Sequence, residues 1–167
     1  MSAPELRLAT PEDVGTILGF VRALAEYEKL AHEVLATEAD FHDSLFGKIP
    51  RAEALIVSID GRPVGFSVWF YNFSTFRGRH GLFVEDVYVD PAYRAAGIGR
   101  MIFRFLARHA ISQGCARMDW DVLDWNEPAI RFYRAIGAVP QDGWTRQRLT
   151  GAALEALAGD GGRISDA

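Results

Sequence analysis

Val87-Tyr88-Val89-Asp90-Pro91-Ala92-Tyr93-Arg94-Ala95-Ala96-Gly97-Ile98-Gly99-Arg100 runs from a β-branched strand pattern, through an Asp-Pro turn, into Arg-x-x-Gly-x-Gly. An apolar helical pattern follows at once, with Ile102, Phe103, Phe105, Leu106 and Ile111. A helix that opens this way leaves its first N–H groups unpaired and aims the positive end of its dipole at one spot. Glycine removes the Cβ atoms that would hold an anion off, so the loop suits a phosphate. It is not a P-loop, because no Gly-Lys-Ser/Thr follows. The dinucleotide fingerprint is incomplete as well, since the third glycine is missing. A bare Gly-x-Gly also occurs in tight strand-to-helix connections. Its place after a strand, with Arg94 and Arg100 on either side, favours an anion.

The elements around the loop alternate in period. Thr10, Pro11 and Asp13 form a helix start, and Val14, Ile17, Leu18, Val21, Leu24 and Ala25 continue it as one buried stripe. Thr37 with Asp40 starts a second, short helix through Phe46. Ala54 to Ile59 and Val64 to Phe73 read as strands of a hairpin around Asp60-Gly61-Arg62-Pro63. Phe83 to Val89 is another strand, Gly97 to Ser112 a helix, Met118 to Val122 a strand, and Pro128 to Ile136 a helix capped by Asn126. Trp144 to Leu149 reads as a last strand before a helix at Ala152 to Ala158. The order predicts an α/β fold, with a mixed central sheet and helices on both faces. At 167 residues the chain suits a single domain over residues 4–158, with 159–167 as a loose tail.

Composition narrows the function. The net charge of −4 argues against general nucleic-acid binding. That average hides a split: residues 26–43 carry −5, and residues 94–108 carry +4. The two fields suit a ligand with chemically different ends, although solvated helix faces of opposite sign read the same way. The single cysteine, Cys115, excludes an intrachain disulfide. The leading MSAPELRLATPEDV lacks a signal-peptide pattern and no apolar run is long enough to span a membrane, so a cytoplasmic protein is expected. His32 and His42 each follow a glutamate by four residues (Glu28, Glu38), which could suggest ligands, but surface or capping roles are favoured. His80 and His109 have no partner at metal spacing, and no metal is expected. Gly65-Phe66-Ser67-Val68-Trp69 lacks the second glycine of a nucleophile elbow.

The glycine loop resembles the acetyl-CoA pyrophosphate loop of the GCN5-related N-acetyltransferase (GNAT) superfamily. More narrowly, the chain resembles the diamine (spermidine/spermine) and thialysine acetyltransferase family. That likeness is carried by Ala25-Glu26-Tyr27-Glu28, Glu85-Asp86-Val87-Tyr88-Val89 and Trp125-Asn126-Glu127-Pro128-Ala129-Ile130-Arg131-Phe132-Tyr133. The resemblance implies a GNAT fold, acetyl-CoA as co-substrate, a small amine acceptor and a homodimer. It places the pyrophosphate on Arg94, Ala95, Ala96, Gly97, Ile98, Gly99 and Arg100, and the pantetheine arm along the backbone of Val87, Tyr88 and Val89. Tyr133 then stands by the cofactor sulfur as general acid, whereas by spacing alone it is an aromatic packed beside Phe132. Tyr27 and Glu28 match the substrate-contacting pair. Asn126 either caps its helix, contacts the cofactor, or does both.

Acetyl transfer needs a neutral amine. An alkyl amine of pKa about 10.4 lies about 3.4 units above pH 7, a cost of about 4.6 kcal/mol. Glu85, on the strand before the loop, is the candidate base, working through a water. A carboxylate in so apolar a stretch is costly unless paired or facing a ligand; an arginine salt bridge is the other reading. Asp86 should point to the opposite face by alternation, so the two should not serve one site equally. Asp119 and Asp121 either add to an amine-attracting field or are solvated at an edge. Arg77 and Arg79 stand where polyamine acetyltransferases carry an acidic stretch, which disfavours a long polycation if both face the cleft. Two other functions remain open: a protein or peptide N-acetyltransferase, and a non-catalytic acyl-CoA sensor.

Overall fold

The structure, a computed structural model, describes residues 2–159. They divide into two compact units, the first ending at Trp125 and the second beginning at Asn126. The first unit holds β1 (Glu5–Leu8), α1 (Val14–Tyr27), α2 (Glu38–Phe46), β2 (Glu53–Ile59), β3 (Arg62–Ser74), β4 (Arg79–Val89), α3 (Ile98–Ser112) and β5 (Met118–Trp120). The second holds α4 (Glu127–Ala135) and α5 (Gly151–Gly159).

The five strands lie in chain order, antiparallel from β1 to β4, with β5 parallel to β4. A parallel neighbour needs a crossover, and α3 supplies it. The sheet is mixed, as expected. On one face Ile98, Ile102, Leu106 and Ala110 of α3 pack on Leu55, Val57, Trp69, Leu82 and Val84. On the other, Ile17 of α1 and Leu45 of α2 pack on Ala54, Ile56, Phe66 and Val68. Each fully buried Leu, Ile or Phe of these layers contributes about 1.5–3 kcal/mol.

Local signals explain the boundaries. Asp13 accepts from the Thr10 backbone N–H at 2.8 Å, and Thr37 and Asp40 cap each other across the start of α2. The β2–β3 turn places Asp60 at φ 51° and Gly61 at φ 76°, the double positive φ of a type I′ hairpin. β5 is shorter than expected and stops at Trp120, which leaves Asp121 and Val122 beyond it.

In the second unit Asn126 caps α4, its Oδ1 accepting from the Ala129 N–H at 3.4 Å. Gly137, at φ 93°, closes that helix, and the Ala138 N–H donates to the Tyr133 carbonyl at 3.0 Å. Trp144 to Leu149 is not a strand: it has no regular structure, and Trp144 is 80% exposed. A strand needs a partner edge for its backbone groups, and among the described residues none pairs with this segment. The expected tail begins at Gly159, which ends α5; residues 160–167 lie outside the described residues.

Candidate active site

Backbone geometry builds the glycine loop. Pro91–Ala96 form a 3-10 turn whose first carboxylate, Asp90, accepts from the Ala92 N–H at 2.9 Å. Gly97 follows at φ 72° and stands at the N-cap of α3, where it offers no side-chain cap. A Cβ at Gly97 would meet nothing within 4 Å, so the left-handed backbone, rather than crowding, requires glycine there. The first intrahelical bond is Met101 N–H to the Gly97 carbonyl at 3.1 Å, so the N–H groups of Ile98, Gly99 and Arg100 point out of the helix. Ile98 buries its side chain completely in the α3 core and thereby fixes that end. Arg100 is exposed.

β4 leads into this loop, and its outer edge opens. β5 pairs with it only across Leu82, Phe83 and Val84. Among the described residues, no strand continues the β5 side from Glu85 to Val89.

At that point β4 carries a bulge. Val84 pairs with Trp69 and Asp86 with the adjacent Val68, which leaves Glu85 as the extra residue. Leu82 and Val84 face α3, and so do Val87 and Val89, so the parity of the strand reverses across the bulge. Asp86 shares the α1 face with its partner Val68, and Glu85 reaches that face by alternation from Val84. The expectation that Asp86 points away from Glu85 is therefore overturned.

The desolvation argument also moves by one residue. Glu85 is exposed, while Asp86 is half-buried. Burial pushes the Asp86 carboxyl up to about 6, with further upward pressure from the charges of Glu85 and Glu28. Glu28 closes α1 as its C-cap, and burial raises its carboxyl too. The charges of Glu85 and Glu28 thus both bear on Asp86, beside the open edge of β4. Simple alternation set Asp86 opposite Glu85 because an extra residue in a strand carries no mark in composition. Its signal is structural: two core valines three positions apart.

The aromatic side of this region is linked to the loop. Arg94 lies over the Tyr27 ring, 4.8 Å from its centroid, and its Nε donates to the Val89 carbonyl at 3.3 Å. Tyr27 meets Trp125 with ring centroids 6.0 Å apart, and the Lys29 ammonium sits 5.8 Å above Trp125. The Tyr88 side chain turns to the α1 face, 5.6 Å from Phe20, so it is its backbone that faces the strand edge.

The remaining expected residues belong to other elements. Asp119 is taken by Arg117, with Nε 2.7 Å from Oδ2, and so adds little free negative field. Arg77 stands in the turn between β3 and β4, and Arg79 begins β4. Arg79 is six positions from Glu85, about 20 Å along a strand. Asn126 and Tyr133 both belong to the second unit. There Asn126 caps α4, and Tyr133 lies against Phe132 with ring centroids 5.7 Å apart. Among the described residues no cluster of His, Cys, Asp or Glu could hold a metal, and no helix is long and apolar enough to cross a membrane.

A strand parts from its neighbour just before a glycine-opened helix, with carboxylates at the parting, an arrangement that offers donors to a phosphate beside charge suited to a cation. Residues 22–138 match the acetyltransferase (GNAT) family, and the chain belongs to it. It is an acyltransferase. Along 165 residues it is 38% identical to thialysine N-epsilon-acetyltransferase of Bos taurus, covering 92% of this chain and 96% of that protein. It is 27% identical to L-ornithine N5-acetyltransferase of Arabidopsis thaliana, over 91% of this chain and 86% of that protein. An integron cassette protein from V. cholerae shares the fold, with a TM-score of 0.79 at 23% identity over 96% of this chain and all of that one.

Acetyltransferases of this family use acetyl-CoA. The residues present fit it. The α3 N-terminus presents unpaired donors suited to a pyrophosphate, and the free edge of β4 presents backbone groups suited to the amides of a pantetheine arm.

Proposed function

We propose that this chain transfers the acetyl group of acetyl-CoA directly to the primary amine of a small cationic molecule. The acceptor class is a diamine or a lysine- or ornithine-like amino acid, in keeping with the acceptors for which its relatives are named. One observation carries the reading: Glu28, Glu85 and the half-buried Asp86 are gathered beside the parted edge of β4. Such a group attracts an ammonium and can take its proton.

When bound, acetyl-CoA supplies an activated acetyl thioester whose thiol departs. Arg94 to Arg100 hold its pyrophosphate, and Val87, Tyr88 and Val89 hold its arm through their backbone. Glu28, with Tyr27, receives the ammonium. The Glu85–Asp86 pair accepts the proton, directly or through a water. A carboxyl near 6 is a better-matched base at neutral pH than an ordinary aspartate. Tyr133 holds the proton that the departing thiolate needs. Asn126 orients the start of α4 and is available to the cofactor.

The protein acts in the cytoplasm as a homodimer. Phe73 and Phe76, 65% and 94% exposed at the end of the β3–β4 hairpin, offer apolar surface for an interface.

The test is thiol release from acetyl-CoA over a panel of diamines, polyamines, thialysine, lysine, ornithine and lysine-bearing peptides. Turnover of the free small amines is the expected result. Turnover of peptides alone would transfer the reading to a protein acetyltransferase. Tight CoA binding with no release from any amine would make the chain a sensor.

A further inference from the structure

Arg94 and Tyr27 are claimed by different ligands, yet they are one contact. On the reading above, which this inference rests on, Arg94 belongs to the cofactor and Tyr27 to the amine. The Arg94 guanidinium lies over the Tyr27 ring at 4.8 Å, anchored through Nε to the Val89 carbonyl at 3.3 Å. The other ring of this aromatic pair is also engaged, since Trp125 carries the Lys29 ammonium at 5.8 Å. A substrate ammonium that seeks the same π surface competes with cations the chain itself supplies.

We propose that Arg94 gates the amine site. A pyrophosphate at the N-terminus of α3 draws the guanidinium toward itself and uncovers Tyr27 for the substrate cation. Phosphate is the stronger partner, because charge-assisted guanidinium–phosphate bonds exceed an exposed cation–π contact. The backbone need not move. The 3-10 turn that bears Arg94 is pinned by Asp90, which takes the Ala92 N–H on its side chain at 2.9 Å and the Tyr93 N–H on its carbonyl at 2.8 Å. Arg94 stands three residues before Gly97, so rotation of its side chain carries the charge from one ligand's ground to the other's. By linkage the coupling is reciprocal, and the amine raises cofactor affinity by the same factor.

Calorimetric titration of thialysine, with and without saturating CoA that lacks the acetyl group, reads this directly. In the unaltered protein CoA should tighten thialysine binding by about 2- to 5-fold, the scale of an exposed cation–π contact. Arg94→Ala should weaken CoA binding, tighten thialysine binding in the absence of CoA, and abolish the response to CoA. A gain in amine affinity is not what loss of a merely structural arginine would produce. Arg94→Lys, which keeps the charge, should retain part of the coupling. Tyr27→Leu should weaken the amine and also make it indifferent to CoA, a second approach that leaves Arg94 in place. Equal thialysine affinity with and without CoA in the unaltered protein would overturn the gate, as would an Arg94→Ala variant that binds thialysine less well. Thiol release run in parallel separates the two levels. Turnover without coupling ends the gate alone, and no turnover with any amine ends the functional reading along with it.

Discussion

Val84 and Val87 stand three positions apart on β4, and both side chains pack into the core under α3. An undistorted strand would send them to opposite faces. The bulge between them returns Val87 to the core and leaves Glu85 and Asp86 together on the α1 side. Two adjacent carboxylates there repel each other, and the half-buried one bears the desolvation cost. Their consequences for pH dependence follow from that placement.

Asp86→Asn should remove a limb of the pH profile. With the carboxyl at about 6, kcat/KM for a small amine should rise with pH through that region as the base ionises. The variant should show a profile without that limb and a large loss of kcat. Glu28→Gln withdraws one like charge, so it should move the limb downward. A limb that stays in place after both substitutions would assign the titration to another group.

The same carboxylate opposes folding at neutral pH. Its folded-state pKa lies above the ordinary aspartate value, so the folded protein binds the proton more tightly than the unfolded chain. Stability attributable to this group therefore falls as pH rises from about 4 to about 6. Asp86→Asn should raise stability at pH 7 by about 1–3 kcal/mol in chemical denaturation while activity falls. Lower stability at pH 7 would mean that the carboxylate is paired rather than strained.

Asp13 has the opposite sign. It holds Arg7 through two bonds of 2.6 and 2.8 Å, and Arg7 is the main reason its carboxyl is lowered to about 2. Its contribution is complete above about pH 4 and is lost as pH falls toward 2. Arg7 is half-exposed and screened by water, so Asp13→Asn should cost about 1–2 kcal/mol at pH 7 and little at pH 2. Denaturation curves at the two pH values measure it.

Gly97→Ala should destabilise the protein by about 1–2 kcal/mol, the cost of left-handed backbone for a residue with a Cβ. Nothing stands within 4 Å of that Cβ, so relaxation of neighbours offers no relief. The α3 N–H groups would be displaced with the strained backbone, and CoA affinity measured by calorimetry should fall more than thermal stability does.

What the amino-acid sequence discloses here is whatever local chemistry determines. The reciprocal caps at Thr10–Asp13 and Thr37–Asp40, the Asp60-Gly61 turn and the glycine at the start of α3 each have a short-range cause, and each stands where the pattern places it. Pairing is different. The bulge at Glu85 depends on how β3 and β4 register over their whole length, and no residue type marks it. The engagement of Asp119 by Arg117 and of Tyr27 by Arg94 likewise depends on distances that spacing does not encode. Trp144–Leu149 shows the converse, an expected strand in a segment without regular structure.

The hairpin arginines provide the last prediction, on amine choice. Arg77 lies in the β3–β4 turn and Arg79 at the first position of β4, at the opposite end of that strand from the glycine loop. About 20 Å separates Arg79 from Glu85, some two Debye lengths at physiological salt, so within one chain their repulsion of a bound polycation is largely screened. Replacing both with serine should leave KM for spermidine and for thialysine within about 2-fold of the unaltered protein at 0.15 M salt. Glu28→Gln, by contrast, should raise both values, because that carboxylate lies within the charged group around Asp86. A selective drop in spermidine KM in the serine variant would show that the arginines reach the amine, and would restore them as the feature that turns away long polycations.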